Sequence, residues 1–287
     1  MIWMCPHCAQ PLEAGEPGLL CVNGHRFDRA REGYVNLLPV QHKRSKNPGD
    51  NSEMVRGRRA LHQAQLYRPL AEALCDLVAT CRDVSTLLDI GCGEGYYDGM
   101  LSARLPGLSV YGVDIAKTAV RLAARDYRSQ HYAVASSRHL PVMTSSIDLA
   151  MCIFSPVNDS EVARAVRPNG YYLEVGPAAQ HLWELKTALY EQPREHPLLR
   201  RTIPGGALVQ EGECHYEKQL TQTELQAVVA ATPFAFRGHR EKRETLWEQS
   251  DFVITLGFSW RLFRLAAERD TAASGAVVDD ALESTDL

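Results

Sequence analysis

Short apolar runs alternate with stretches of helical spacing through the middle of the chain, which predicts strands and helices in turn. Leu87-Leu88-Asp89-Ile90 reads as a short buried strand leading into the turn Gly91-x-Gly93-x-Gly95, and "YYDGMLSARL" beyond that turn has helical spacing. A second strand, Val110 to Val113, ends at Asp114. "VASSRHLPVMTSSIDLAMCIFSP" predicts a strand end at Ser136, a turn through Leu140-Pro141 and a strand from Ile147 to Phe154. "VARAVRPNGYYLEVGP" has the pattern of a helix, a Pro-Asn-Gly turn and a further strand. In "LTQTELQAVVAATPFAFRG", Thr221 and Glu224 make a capping box for an amphipathic helix that runs into a strand at Phe234 to Phe236. The apolar-rich "DFVITLGFSWRLFRL" reads as the final strand.

At 287 residues and 45% hydrophobic, the chain can bury one ordinary core plus an appendage. No apolar run approaches the length of a membrane span and no basic stretch leads into an apolar one at the start, so the expected location is the cytoplasm. Of the eight cysteines, Cys75, Cys81, Cys92, Cys152 and Cys214 have no framework spacing and read as reduced core residues. A formal net charge of -4 excludes a protein that coats nucleic acid by bulk charge. A nucleic-acid partner would therefore meet a local basic surface, and Lys43, Arg44 and Lys46, followed by Arg56, Arg58 and Arg59, supply one. The last twenty residues, 268–287, are acidic, rich in small residues and without an aromatic, which reads as a disordered tail.

Four soft or borderline metal ligands stand near the start in two close pairs, Cys5-x2-Cys8 and Cys21-x3-His25, a pattern that suits tetrahedral Zn2+. Pro6 in one pair and Asn23-Gly24 in the other let the chain bend two side chains onto one ion. Four protein ligands leave no open coordination position, so the expected zinc is structural. Its binding supplies folding free energy that so short a segment cannot draw from a core, on the order of ten kcal/mol. His7 is an alternative to His25 by residue type, but it lies between Cys5 and Cys8.

The glycine turn is by itself compatible with several nucleotide ligands. A dinucleotide fingerprint would want its third glycine where Tyr96 stands, and no P-loop lysine follows. Asp114, about twenty residues past the turn at a strand end, can accept hydrogen bonds from both hydroxyls of a ribose.

"LDIGCGEG" followed by a strand ending in Asp resembles the first two motifs of class I S-adenosylmethionine-dependent methyltransferases. Over nearly all of residues 1 to 267, "CPHC", "CVNGHRFDRAREGYVNLLPVQHKRSKNPGDNSEM", "LYRPL", "LDIGCGEGYY", "VASSRHLP" and "GPAAQHLWELK" resemble the 23S ribosomal RNA (guanine-N1)-methyltransferases. Retention of "LLPVQHKRS" resembles the Gram-negative type that modifies guanine 745 more than the type that modifies guanine 748. The acidic tail departs from the family pattern.

The resemblance implies an α/β fold: a Rossmann-like, mostly parallel sheet whose last strand is antiparallel, preceded by a small zinc-binding module. The expected divisions are residues 1–40 for a zinc-binding RNA-recognition module, 41–66 for a basic linker and helix, 67–267 for the methyltransferase domain and 268–287 for the tail. It places Tyr67, Asp89, Gly91, Gly93, Glu94, Gly95, Asp114, Ser136 and His181 around S-adenosylmethionine, with Asp89 and Glu94 near the sulfonium and amino group. Ser136 stands where many relatives carry an Asp. Cys5, Cys8, Cys21 and His25 would hold the zinc, and a 23S rRNA hairpin would be the partner, read in part by Phe27 or Tyr34 and by Lys43 to Lys46. A homodimer is a further expectation from the family. For the proton on guanine N1 the candidates near the fourth motif, "CIFSPVND", are Asp159 and the main chain around Phe154 to Pro156, with Phe154 also a stacking platform for a flipped guanine. A small-molecule methyltransferase carrying an auxiliary zinc module is the competing reading, and a nonenzymatic RNA-binding protein is a second.

Overall fold

The computed structural model describes residues 1–42, 48–232 and 240–267, without the side chains of 240, 241, 243 and 244. Expectations for Lys43, Arg44 and Lys46, for a strand at Phe234 to Phe236 and for the tail lie outside the described residues.

Three short strands, β1 (Leu12–Ala14), β2 (Gly18–Cys21) and β3 (Arg26–Asp28), make a small antiparallel sheet at the start. β4 (Val35–Asn36) then leaves it for the edge of the main sheet. Two helices follow, α1 (Ser52–Gln63) and α2 (Arg68–Thr80). Asn51 caps α1 by accepting from the backbone N–H of Glu53 and Met54, and Pro69 sits in the first turn of α2, where its missing N–H costs nothing.

Alternation then sets in: β5 (Thr86–Ile90), α3 (Tyr96–Arg104), β6 (Ser109–Asp114), α4 (Lys117–Asp126), β7 (His131–Val134), β8 (Ile147–Ile153), α5 (Asp159–Ala165) and β9 (Val166–Pro177). The remainder is α6 (Trp183–Leu189), β10 (Gly206–Leu220), α7 (Gln222–Ala230), α8 (Arg240–Trp247) and β11 (Phe252–Leu265). The main sheet has eight strands in the order β10-β11-β9-β8-β5-β6-β7-β4. From β9 to β4 every pairing is parallel, whereas β11 runs antiparallel to β9 and β10 antiparallel to β11. The expected mostly parallel sheet with an antiparallel final strand is present, and β10 adds a second antiparallel strand that the sequence reading did not identify.

β5 shows why the sheet is central. Leu87, Leu88 and Ile90 are fully buried, as an apolar run covered on both faces requires. Leu87 points into a cluster with Leu70, Leu74 and Val78 of α2, and Leu88 and Ile90 point into one with Val162 of α5 and with Trp3, Leu12 and Leu19. The small N-terminal sheet is thus packed on one face of the main sheet. Met4 N–H donates to the Pro141 carbonyl and Met143 N–H to the Ile2 carbonyl, each at 2.8 Å, and Trp3 meets Tyr111 edge-on with centroids 5.3 Å apart.

The chain passes from β5 to β6 and β7 on one side, then returns to β8 on the other. This reversal opens a crevice outside the carboxyl ends of β5 and β8, where ligands bind in such sheets. α1 lies over that crevice and rests on α7. A Cβ at Gly57 would come within 2.7 Å of the Ala231 backbone nitrogen, so the small residue sets the closeness of the two helices. The capping box of Thr221 and Glu224 is formed at the start of α7. The Pro168-Asn169-Gly170 turn is absorbed into β9 as an irregularity, with Asn169 at φ +61° and a register shift opposite Ile147.

Candidate active site

Cys5, Cys8, Cys21 and His25 bring one donor atom each to within 4.8 Å of one another. Cys8 Sγ to Cys21 Sγ is 3.7 Å, Cys21 Sγ to His25 Nδ1 is 3.3 Å and Cys5 Sγ to His25 Nδ1 is 3.6 Å. A tetrahedron with Zn–S bonds of about 2.3 Å has sulfur edges of roughly 3.8 Å, so the donor set fits a four-coordinate zinc with no position left for a reactant. The backbone at Gln10 is the largest influence on the Cys8 thiol and holds it down at about 6, toward the thiolate a metal needs. His7 stacks on Phe27, with centroids 5.8 Å apart, and is outside the donor group. Tyr34 is buried in a core cluster and Phe27 packs against another, so neither presents a free ring for a base.

The glycine turn has φ of +87° at Gly91, +54° at Gly93 and +81° at Gly95, a left-handed backbone that only glycine adopts without strain. A Cβ on Gly91 would run into the Ser155 side chain, and one on Gly95 would lie 2.8 Å from the Tyr132 hydroxyl. Nothing stands within 4 Å of the Cβ position at Gly93, so the backbone there is open to a ligand. Asp114 accepts from Gly93 N–H at 3.0 Å and from Ala116 N–H at 2.7 Å. Burial raises its carboxyl while these two donors pull it back.

α1 fastens the same loop from above. Glu94 meets His62 Nδ1 at 2.8 Å and Arg59 Nη1 at 3.4 Å, and Arg59 continues to Asp126 at 2.7 Å. The His62 ring lies flat on Tyr96, with centroids 4.2 Å apart. Arg58 pairs with Asp50 at 2.9 Å. Two of the arginines read as basic surface are therefore engaged by acids around the loop.

Beneath the turn, Asp89 is 2% exposed and Asp98 is wholly buried. Burial drives both carboxyls up, Asp98 to about 7; Asp98 raises Asp89 further, while Asp89 and Tyr132 pull Asp98 back. Two such groups in contact, away from water, hold protons rather than two charges.

A cavity of 230 Å³ opens between this loop and the ends of β8 and β9. It brings together Tyr67, Asp89, Gly91, Gly93, Glu94, Phe154 and His181 from among the expected residues. Gly95, Asp114 and Ser136 do not line it. Gly95 begins α3, Asp114 holds the loop from behind, and the Ser136 hydroxyl accepts from Arg138 N–H at 3.2 Å in the turn after β7. Asp159 is also off the cavity wall. Its Oδ1 accepts from Arg201 Nη1 at 2.6 Å, and Arg201 also donates to Glu174 at 2.8 Å, so Asp159 serves an ion-pair network and does not fit the role of base.

Phe154 sits at the end of β8 with φ +53°, its ring 6.2 Å from that of Tyr67 and 6.4 Å from that of His181. The Tyr67 hydroxyl is 3.5 Å from His181 Nε2. Burial pushes His181 down to about 3 and His196, another cavity residue, down to about 4, so both imidazoles are neutral near pH 7.

Sequence reasoning missed His62, the site role of Arg59, Asp98 and His196. For the first two a signal existed: Arg58, Arg59 and His62 are spaced to share one face of a helix. His196 lies in "EQPREHPLLRR", which has no periodicity to mark it.

The N-terminal residues 3–46 match the family model described as "RlmA, N-terminal", a zinc ribbon, and residues 87–170 match a methyltransferase domain. A Streptomyces fradiae protein named 23S rRNA (guanine(748)-N(1))-methyltransferase is 37% identical over 189 residues, 64% of this chain and 66% of that protein. A Micromonospora griseorubida protein provisionally named 23S rRNA (guanine-N(1)-)-methyltransferase is 34% identical over 63% of this chain and 67% of its own length. A Bacillus subtilis protein with the same provisional name is 27% identical over 89% of this chain and 94% of its own.

Proposed function

The chain belongs to the family of 23S rRNA (guanine-N1)-methyltransferases, and from that membership we propose that it methylates N1 of one guanine in a hairpin of 23S rRNA. The observation that carries this reading is the union, on one sheet, of a four-donor zinc ribbon with an open glycine turn beside an aromatic-walled cavity. S-adenosylmethionine, when bound, supplies a methyl group made electrophilic by its sulfonium.

The chain's own residues align and desolvate the reactants, which is the main catalytic contribution for an in-line displacement. The turn Gly91 to Gly95 offers backbone for close approach of the cofactor, with Asp89 and Glu94 beside it and Asp114 bracing it from behind. Tyr67 and His181 wall the cavity opposite the turn. Phe154, at the end of β8, is placed to stack on a guanine taken out of its hairpin. The zinc ribbon extends the protein surface on the other face of the sheet, and with Lys43, Arg44 and Lys46 it supplies the contacts that position RNA. A homodimer and a cytoplasmic location belong to the same proposal; among the described residues no helix is long and apolar enough to cross a membrane.

The test is incubation with methyl-labelled S-adenosylmethionine and unmodified 23S rRNA, followed by digestion and mass mapping. Labelled 1-methylguanosine in one hairpin is the expected result, and its position decides between 745, which "LLPVQHKRS" resembles, and 748, for which the Streptomyces relative is named. Transfer to small molecules but to no RNA would overturn the reading.

A further inference from the structure

Methylation at N1 requires that guanine lose the proton it carries there, and the cavity must provide an acceptor. Its carboxylates are poorly placed. Glu94 is held by His62 and Arg59 and Asp50 by Arg58, while Asp89, whose Oδ1 is buried without a partner, is driven well up by burial and by Asp98 under the glycine turn and keeps its proton. Burial drives the Tyr67 phenol up, so it keeps its proton.

Two imidazoles remain at the Phe154 end. His181 turns Nε2 toward the Tyr67 hydroxyl. His196 lies beside it, ring centroids 5.8 Å apart, its backbone N–H donating to the Ala179 carbonyl at 2.9 Å. Among the described residues His196 Nε2 is buried without a hydrogen-bond partner. In the tautomer that carries its proton on Nδ1, the free lone pair is on Nε2. A buried acceptor with no partner is costly in an empty site and is satisfied by a ligand donor such as the N1–H of a purine.

We propose that His196 Nε2 accepts the proton from guanine N1 during methyl transfer. This assignment rests on the function proposed above. The N1–H bond breaks with its electron pair left on N1, and the proton passes to Nε2. That pair forms the N1–CH3 bond as the C–S bond breaks and its electrons go to sulfur. One positive charge disappears at sulfur as one forms on the imidazole, so the cavity's net charge does not change, and the imidazolium later returns its proton to water. The charge balance matters because burial by itself makes His196 a weak base.

His196→Asn keeps a hydrogen-bonding side chain but cannot take up a proton. With unmodified 23S rRNA, kcat should fall about 100-fold or more while the KM for S-adenosylmethionine stays within about threefold. His196→Ala should lose as much and regain part of its rate in added imidazole, a rescue that a merely structural residue would not show. Calorimetric binding of S-adenosylmethionine by both variants establishes that they fold. A His196→Asn rate within about threefold of wild type, with 1-methylguanosine still formed, would overturn the base while leaving the function standing. No 1-methylguanosine from the wild-type chain would overturn both.

Discussion

His62 Nδ1 lies 2.8 Å from Glu94 Oε1, and through that contact α1 is fastened to the glycine turn. Both side chains are largely buried, so the contact is not diluted by water as an exposed pair would be. Glu94 also receives Arg59, so two side chains of α1 fix the turn's carboxylate. Glu94→Gln should therefore weaken S-adenosylmethionine binding about tenfold, and His62→Ala by a smaller factor. Isothermal titration of the folded variants checks this, and unchanged affinities would show that the clasp has no part in the site.

Gly91→Ala combines two penalties. Its φ of +87° costs an L-residue about 1–2 kcal/mol, and its new methyl would collide with Ser155. Gly107 provides the comparison, since it has φ +94° and nothing within 4 Å of the Cβ position. Thermal denaturation should show Gly107→Ala losing the conformational share alone and Gly91→Ala losing more, with cofactor binding abolished only in the latter. Equal losses in the two variants would remove the packing argument.

How much of this was legible in the sequence depended on whether a residue's role was local. Cys5, Cys8, Cys21 and His25 needed only their spacing, and Gly91 to Gly95 needed only the strand before and the helix after. β10 escaped because it is half-buried: Gly212, Cys214 and Tyr216 face inward while Glu211, Glu213, His215 and Glu217 face water. None of those inward residues makes an apolar alternation strong enough to read. Asp159 misled for the opposite reason. Its place near the fourth motif suggested chemistry, but its partner Arg201 stands forty-two residues away and is visible only in three dimensions. Asp98, in the first turn of α3, reads as an ordinary acidic residue at a helix start until the fold buries it against Asp89.

Asp98 makes stability depend on pH with a definite sign. Its folded pKa, about 7, is above the ordinary carboxyl value of 3.8, so the folded chain binds this proton more tightly than the unfolded chain does. The contribution is fully present below about pH 4 and is lost as pH rises through 7. Asp98→Asn removes the ionisation. Relative to wild type it should be more stable at pH 8, on the order of a few kcal/mol, with the gain shrinking toward pH 5. Urea denaturation at the two pH values measures it, and a gain independent of pH would refute the assignment.

Zinc removal should separate the two ligand sites along the chain. The ribbon's core is continuous with the sheet through Trp3, Leu12 and Leu19, but none of residues 1–42 lines the cavity. Chelation would release the four donors, and the ribbon, too small to fold without the ion, would loosen first. The amide of Met143, which donates to Ile2 across the junction, should then exchange faster with solvent, whereas that of Cys92, which donates to Val113 inside the sheet, should stay protected. S-adenosylmethionine affinity should change by less than about threefold while methylation of 23S rRNA falls by about a hundredfold. Equal losses of both would mean that the ribbon braces the cofactor cavity instead of presenting RNA to it.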